Sequence, residues 1–358
     1  MEVYNLVIIG GGCSGLALAN ALYELNSKKK VLVLEKRIAY QFDKIWSYWA
    51  PKNSYWANFA DYKWKYCQFS LNEKDIVTHD YENNLIYCSL SSLNYYKYSQ
   101  RCFSHPNFTI KLNQDITSIE QKNHLFKINS KSDSFLSKKV VDLRSNPSSY
   151  NPFFYQIFYG VDVILKNPLS QSNQVRLMTN LCSIKDGVAF DYILPFSDKH
   201  ILIEPTIFSK IKEFNIAYFK KRIIDICKKE NIVIKEILRE EQGILPMGQF
   251  KKKDKYSHEI GGVLRASSGY GFIKIQTWAK EFAYLFEKSN ELKQIKYSKT
   301  SNFMDTMFLH YLKSINNNRD VVFYKLAKNM NYKIFYRLMS DQLSLLDCFK
   351  VGYSLIKR

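Results

Sequence analysis

Leu6-Val7-Ile8-Ile9-Gly10-Gly11-Gly12-Cys13-Ser14-Gly15 is a continuous apolar run followed at once by glycines in the spacing G-x-G-x-x-G. An aliphatic run without polar alternation suits a central parallel strand, because both of its faces are covered. Leu16, Ala19, Leu22 and Leu25 then recur on one side of a helical pattern, and Val31-Leu32-Val33-Leu34 reads as the next strand, closing on Glu35. Gly10 permits the tight turn, Gly12 lets the backbone approach a pyrophosphate, and Gly15 lets the helix pack closely on the strand. The helix N-terminus faces the phosphates. Glu35, about twenty residues beyond the turn, is placed to accept hydrogen bonds from the adenosine ribose hydroxyls. The stretch from Asn5 to Arg37 therefore predicts a Rossmann-type unit that binds the ADP half of a dinucleotide, FAD.

Outward from that unit, the chain of 358 residues is long enough for one large or two interleaved domains. We expect an α/β fold. Its FAD-binding domain spans 1–150 together with 240–285, with an aromatic-rich insertion near 46–102. An antiparallel-sheet substrate domain covers 151–239 and a helical region covers 286–358. Thr109 to Leu112, Ile116 to Ile119 and Lys139 to Leu143 read as strands, the last returning to the first sheet with Asp142 and Arg144 near the cofactor. Residues Tyr150 to about Phe208 read as short strands and turns, Ala217 to Lys228 as an amphipathic helix, and Glu241 to Gly248 as a turn-rich return. Gly261-Gly262-Val263 leads to Ser268-Gly269-Tyr270-Gly271 and a helix from Ile273 to Leu285, a second place where backbone amides meet the cofactor. The plain alternative there is a helix cap.

The composition is globular and rich in rings, with 26 Tyr and 24 Phe. Some of the rings between Trp46 and Tyr66 are candidates to line an apolar cavity, against the alternative of ordinary core packing. A net charge of +19 suits an anionic partner, but no zinc spacing, ribonucleoprotein motif or basic leucine heptad points to nucleic acid. A membrane surface or general solubility fits better, and Lys251, Lys252, Lys253 and Lys255 read as a solvated loop. The seven cysteines form no Cys-x-x-Cys pair and the histidines are isolated, so neither a disulfide framework nor a metal is expected. No apolar run reaches the roughly twenty residues needed to cross a bilayer, and no secretory signal is expected ahead of the first strand.

The flavin fold alone does not state a reaction. No Asp lies between Gly261 and Phe272, where flavin hydroxylases usually carry a Gly-Asp pair, and Trp46 to Pro51 is a poor copy of the halogenase motif. The sequence instead resembles the flavin-dependent lycopene cyclases of carotenoid synthesis. The resemblance runs in order through the Gly10 to Gly15 turn, Trp46-Ser47-Tyr48-Trp49, Val141-Asp142-Leu143-Arg144, Tyr155 to Gly160, Phe190 to Phe196, Leu202-Ile203-Glu204-Pro205-Thr206, Gly243 to Met247, Ser268 to Phe272, Phe303-Met304-Asp305 and Ser340-Asp341. Pro205 stands where the family commonly has a second acidic residue, Ser268 replaces a Thr, and Leu177-Met178-Thr179 lacks the family's Asp.

The resemblance implies closure of the ends of lycopene, or a related linear carotenoid, into rings of the beta type, giving beta-carotene. That reaction is redox-neutral and acid-catalysed, with FAD in its reduced form and NAD(P)H as candidate reductant. Glu204 is implied as the functional carboxylate, with Asp191 a second candidate for catalysis. Gly10, Gly12, Gly15, Glu35, Arg144, Gly269, Tyr270 and Gly271 are the expected cofactor-binding residues. An apolar substrate that lives in bilayers implies a cytoplasmic protein, peripheral on the inner face of the membrane. A flavin oxidoreductase acting on another apolar molecule, and a non-catalytic membrane-surface binding protein, remain alternatives.

Overall fold

The aliphatic run Leu6–Ile9 forms a strand with all four residues buried, as expected of a strand covered on both faces. In this computed structural model residues 2–81, 84–144, 150–250 and 264–356 are described. Leu6–Ile9 pairs in parallel with Val31–Leu34 and with Val140–Asp142, and Phe108–Lys111 completes a four-stranded sheet. Leu6, Ile8, Val31 and Val33 pack against the helices Cys13–Glu24 and Phe272–Ser289 through Leu18, Leu22, Phe282 and Phe286. Val7, Ile9, Leu32 and Leu34 pack the other way, onto Ile116, Phe126, Ile128 and Phe135 of a second, four-stranded sheet. The Rossmann-type unit and the return of Val140–Asp142 are as the sequence leads one to expect.

The aromatic-rich insertion supplies a three-stranded sheet of Ile45–Pro51, Leu85–Ser91 and Tyr62–Trp64. It then sends Tyr66–Ser70 and Ile76–Asp80 into a seven-stranded sheet. That sheet runs in the order Ile234–Phe250, Tyr150–Leu165, His200–Ser209, Gly187–Pro195, Gln174–Ile184, Tyr66–Ser70, Ile76–Asp80. Residues alternate across it. Ile157, Tyr159, Val161, Val163, Ile201 and Ile203 face Phe219, Ile223 and Ile226 of the helix Ile216–Lys229. The opposite face, through Phe154, Phe190 and Phe208, meets the C-terminal helices at Leu309, Leu312 and Phe323.

Two expectations change. The strands here are long, 16 residues in Tyr150–Leu165 and 17 in Ile234–Phe250, where the sequence predicts short strands and a turn-rich return over 241–248. The expected boundary at 239/240 accordingly falls inside a strand. Gly243, Pro246 and Gly248 look like turn residues but suit this edge strand for other reasons. A Cβ at Gly243 would sit 2.5 Å from the Phe158 ring, and one at Gly248 would sit 2.2 Å from Asn151 O. Pro246 lies on the outermost strand of the sheet among the described residues, where a proline is tolerated. Lys251 to Lys253, Lys255 and Gly261-Gly262-Val263 lie outside the described residues.

Candidate active site

The glycine turn has the close contacts its spacing requires. Gly10 adopts φ +101°, and a Cβ on Gly15 would lie 1.9 Å from Gly10 O. At Gly12 the nearest atom to an added Cβ is Arg37 Nη2 at 3.7 Å. Gly12 opens the helix Cys13–Glu24, whose first turn has no acidic residue and whose N-terminus has no side-chain cap. Its orphan amides therefore face a cleft with a basic group beside it, the arrangement an anion needs. Glu35 is 3% exposed, and its two oxygens accept from Gly11 N at 2.7 Å and Arg37 N at 2.9 Å. A carboxylate has lone pairs beyond these two bonds. Arg37, not singled out from sequence, donates to Tyr96 and lines the cleft; only its position two residues after Glu35 hinted at it.

The cleft holds about 570 Å³ and runs from Gly12, Cys13 and Ser14 to Tyr192, Glu204 and Tyr270. Arg144 lines it too, its guanidinium bidentate on Asp142 and donating to Ile116 O. From the other side comes the turn before Phe272–Ser289. Gly269 sits at φ +71°, Gly271 caps the helix, and Ser268 Oγ is buried without a hydrogen-bond partner. Gly10 and Gly15 shape the turn from within, while Gly12, Gly269, Tyr270 and Gly271 line the same cleft. A smaller chamber of about 70 Å³, walled by Trp49, Phe190, Phe308 and Leu338 among others, adjoins it, sharing Gln156, Tyr192, Ser268 and Tyr270. Of the aromatic insertion, Trp49 walls this chamber and Trp46 the cleft, whereas Tyr48 stacks on Phe272 in the core.

Glu204 enters from His200–Ser209 on the cleft face of the large sheet, opposite Tyr192. Burial lifts its carboxyl well above the usual carboxylate range, and the neighbouring Glu241 adds to this. The position after it, Pro205, pairs with Asp191, and successive residues point to opposite faces. Asp191 is 1% exposed and accepts from Arg222 Nε of the covering helix at 2.5 Å and from Asn180 Nδ2 at 3.0 Å. Asp191 thus lies behind the sheet and is not brought together with Glu204. The sequence could not separate the two, because strand parity relative to the cavity is a property of the packed sheet.

A nucleotide-type cleft on a parallel sheet, closed by a large, mostly antiparallel sheet and C-terminal helices, defines an α/β protein of the flavoprotein type. The same fold occurs in a flavoprotein/dehydrogenase from Cytophaga hutchinsonii, at 12% identity and TM-score 0.64 over 99% of this chain and 97% of that one. It occurs with the same figures in a geranylgeranyl bacteriochlorophyll reductase-like protein from Thermoplasma acidophilum. A p-nitrophenol 4-monooxygenase from Pseudomonas putida follows at 11% identity and TM-score 0.59, over 99% and 98% of the chains. No curated protein matches the chain. The family model described as "Lycopene cyclase protein" matches residues 5–357, and the chain belongs to that family.

Proposed function

We propose that the protein is a lycopene cyclase that converts the linear ends of lycopene to beta-ionone rings, with FAD held in the cleft. The observation that carries this reading is that Glu204 lines the same cleft as Gly12 to Ser14, beside an aromatic chamber. The amides after Gly12 and the Arg37 guanidinium would hold the pyrophosphate, Glu35 the ribose, and Ser268 to Gly271 the flavin side of the nucleotide. FAD bound there in its reduced form would supply negative charge to the site, with NAD(P)H as the proposed source of electrons.

Protonated Glu204 donates to a terminal alkene carbon, forming a C–H bond and leaving a tertiary cation and a carboxylate. The neighbouring double bond closes the ring by forming a C–C bond. Loss of a ring proton to the carboxylate then sets the new double bond and restores the acid, so protons and electrons balance. Tyr192, Tyr270 and Trp49 present ring faces and edges to this step, and Tyr87 holds Tyr270 through a hydroxyl contact of 3.1 Å. Expression in lycopene-accumulating cells followed by pigment chromatography tests the proposal. Beta-carotene is the expected product. Glu204→Gln should reduce ring formation by about 100-fold or more with flavin still bound; unchanged lycopene in the wild type would refute the activity.

An apolar substrate calls for access from lipid, and we place the protein on the cytoplasmic face of the membrane as a peripheral protein. No helix among the described residues is long and apolar enough to cross a membrane. The helices whose Met304, Phe308 and Val351 wall the chamber turn Phe303, Met307 and Tyr311, and Leu345, Leu346, Phe349 and Tyr353, outward. These are spaced as helical stripes, and the second set is 61% to 77% exposed. Sedimentation with anionic lipid vesicles should be lost in a Leu346→Glu, Phe349→Glu variant that keeps its flavin; unaltered binding would sink the docking face.

A further inference from the structure

Gly160 stands between two carboxylates. It pairs with Glu241 across one edge of its strand. On the other edge the ladder is interrupted between the Phe158–Thr206 and Val161–Ile203 pairs, where Pro205 has no N–H to give. A Cβ at Gly160 would meet Glu204 Oε2 and Glu241 Cγ, each at 3.2 Å. Glycine thus leaves a gap over the central strand through which side chains from its two neighbours meet.

The next row of the same face holds the pair in place. Arg239 Nη1 donates to Glu241 Oε2 at 2.5 Å, and its Nε lies 3.7 Å from Asp162 Oδ2. Asp162, 1% exposed, is bound at 2.5 Å by His200 Nε2. The Arg239 guanidinium rests over the Phe42 ring at 4.3 Å. Tyr192 faces Glu204 from the adjoining strand, and Arg37, Asp43, Lys44, Asp142 and Arg144 line other parts of the cleft.

We propose that Glu204 and Glu241 work as one acid unit, two carboxyls holding a single proton across Gly160, with Arg239 orienting Glu241. Two carboxylates this close do not both ionise readily. Arg239 is bound to Glu241, while burial and the neighbouring Glu241 favour the neutral form of Glu204. Pro205 in place of a second acid beside Glu204 is then no loss, since position 205 points behind the sheet and the second carboxyl arrives from position 241. What the proton is used for rests on the cyclase reading; that the pair holds it does not.

The test is infrared titration of the carboxyl C=O band in the flavin-loaded protein, alongside the pH profile of ring formation. Wild type should retain a protonated carboxyl through neutral pH, and Glu204→Gln should remove that band. In Glu241→Gln the band and the alkaline limb of activity should both move to lower pH by about 1 to 3 units, because the like charge that favours the neutral acid is gone. Gly160→Ala, which wedges the carboxyls apart with both charges kept, should move them in the same direction and serves if Glu241→Gln does not fold. A band that survives Glu204→Gln, or a titration that neither of the other variants shifts, overturns the proposal. A shared proton in a protein that makes no rings would leave the pair standing and remove the cyclase reading.

Discussion

At the residue scale, carboxyls on two paired strands are assigned opposite tasks by the side of the sheet they reach. Glu204 and Asp191 are both carboxyls on strands rich in aliphatic residues, yet one opens to the cleft and the other is locked to Arg222 behind it. Asp191→Asn should therefore act on stability rather than chemistry. Removing one member of a buried ion pair costs about 3–5 kcal/mol, so urea unfolding should show a loss of that order. The fraction still folded should form rings at the wild-type rate, and a large fall in its turnover would return Asp191 to the catalytic candidates. The glycine turn was legible because its chemistry is local: Gly10, Gly12, Gly15 and Glu35 are set by spacing along one strand-turn-helix. Glu241 was not, because its partner is 37 positions away (241 − 204) and meets it only through strand register.

At the element scale, the helix Leu345–Ile356 is tied down near its start by Asp347. Asp347 accepts from Arg337 Nε and Nη2 and from Ser344 N and Oγ. Arg337 holds its carboxyl well below the usual carboxylate range. A depressed folded-state value means the contribution is present above the ordinary 3.8 and is lost as pH falls below it. Amides of 345–356 should thus lose hydrogen-exchange protection below about pH 4, and in Asp347→Asn they should be less protected already at neutral pH. Equal protection in the two proteins at neutral pH would dismiss this fastening. Helices and parallel strands of the first domain were readable element by element, since apolar periodicity reports them directly. The long edge strand Ile234–Phe250 was misread over 241–248, because Gly243 and Pro246 serve packing and an edge there, not a turn.

At the scale of the whole molecule, the cofactor side and the apolar chamber are bolted together by a buried ion pair. Arg265, 1% exposed, is bound by Asp305 of the helix Lys299–Ser314, which also accepts from Ser267. Asp305→Asn leaves a buried guanidinium short of its counter-charge and should cost about 3–5 kcal/mol. Because the turn carrying Ser268 to Gly271 hangs on this pair, flavin affinity should fall together with thermal stability. A variant that loses stability but binds flavin as tightly as wild type would uncouple the two parts. By itself the sequence determined the Rossmann-type unit, the presence of an aromatic interior, the family resemblance and Glu204 and Asp191 as the carboxyls of interest. All of these rest on residues close together in the chain or on motifs in order. Only the tertiary structure decided that Glu204 shares a cleft with the glycine turn, that Asp191 does not, and that Glu241 meets Glu204 over Gly160. Which face of a strand looks into a cavity, and which strands lie side by side, follow from the packing of the whole sheet and from no single stretch of it.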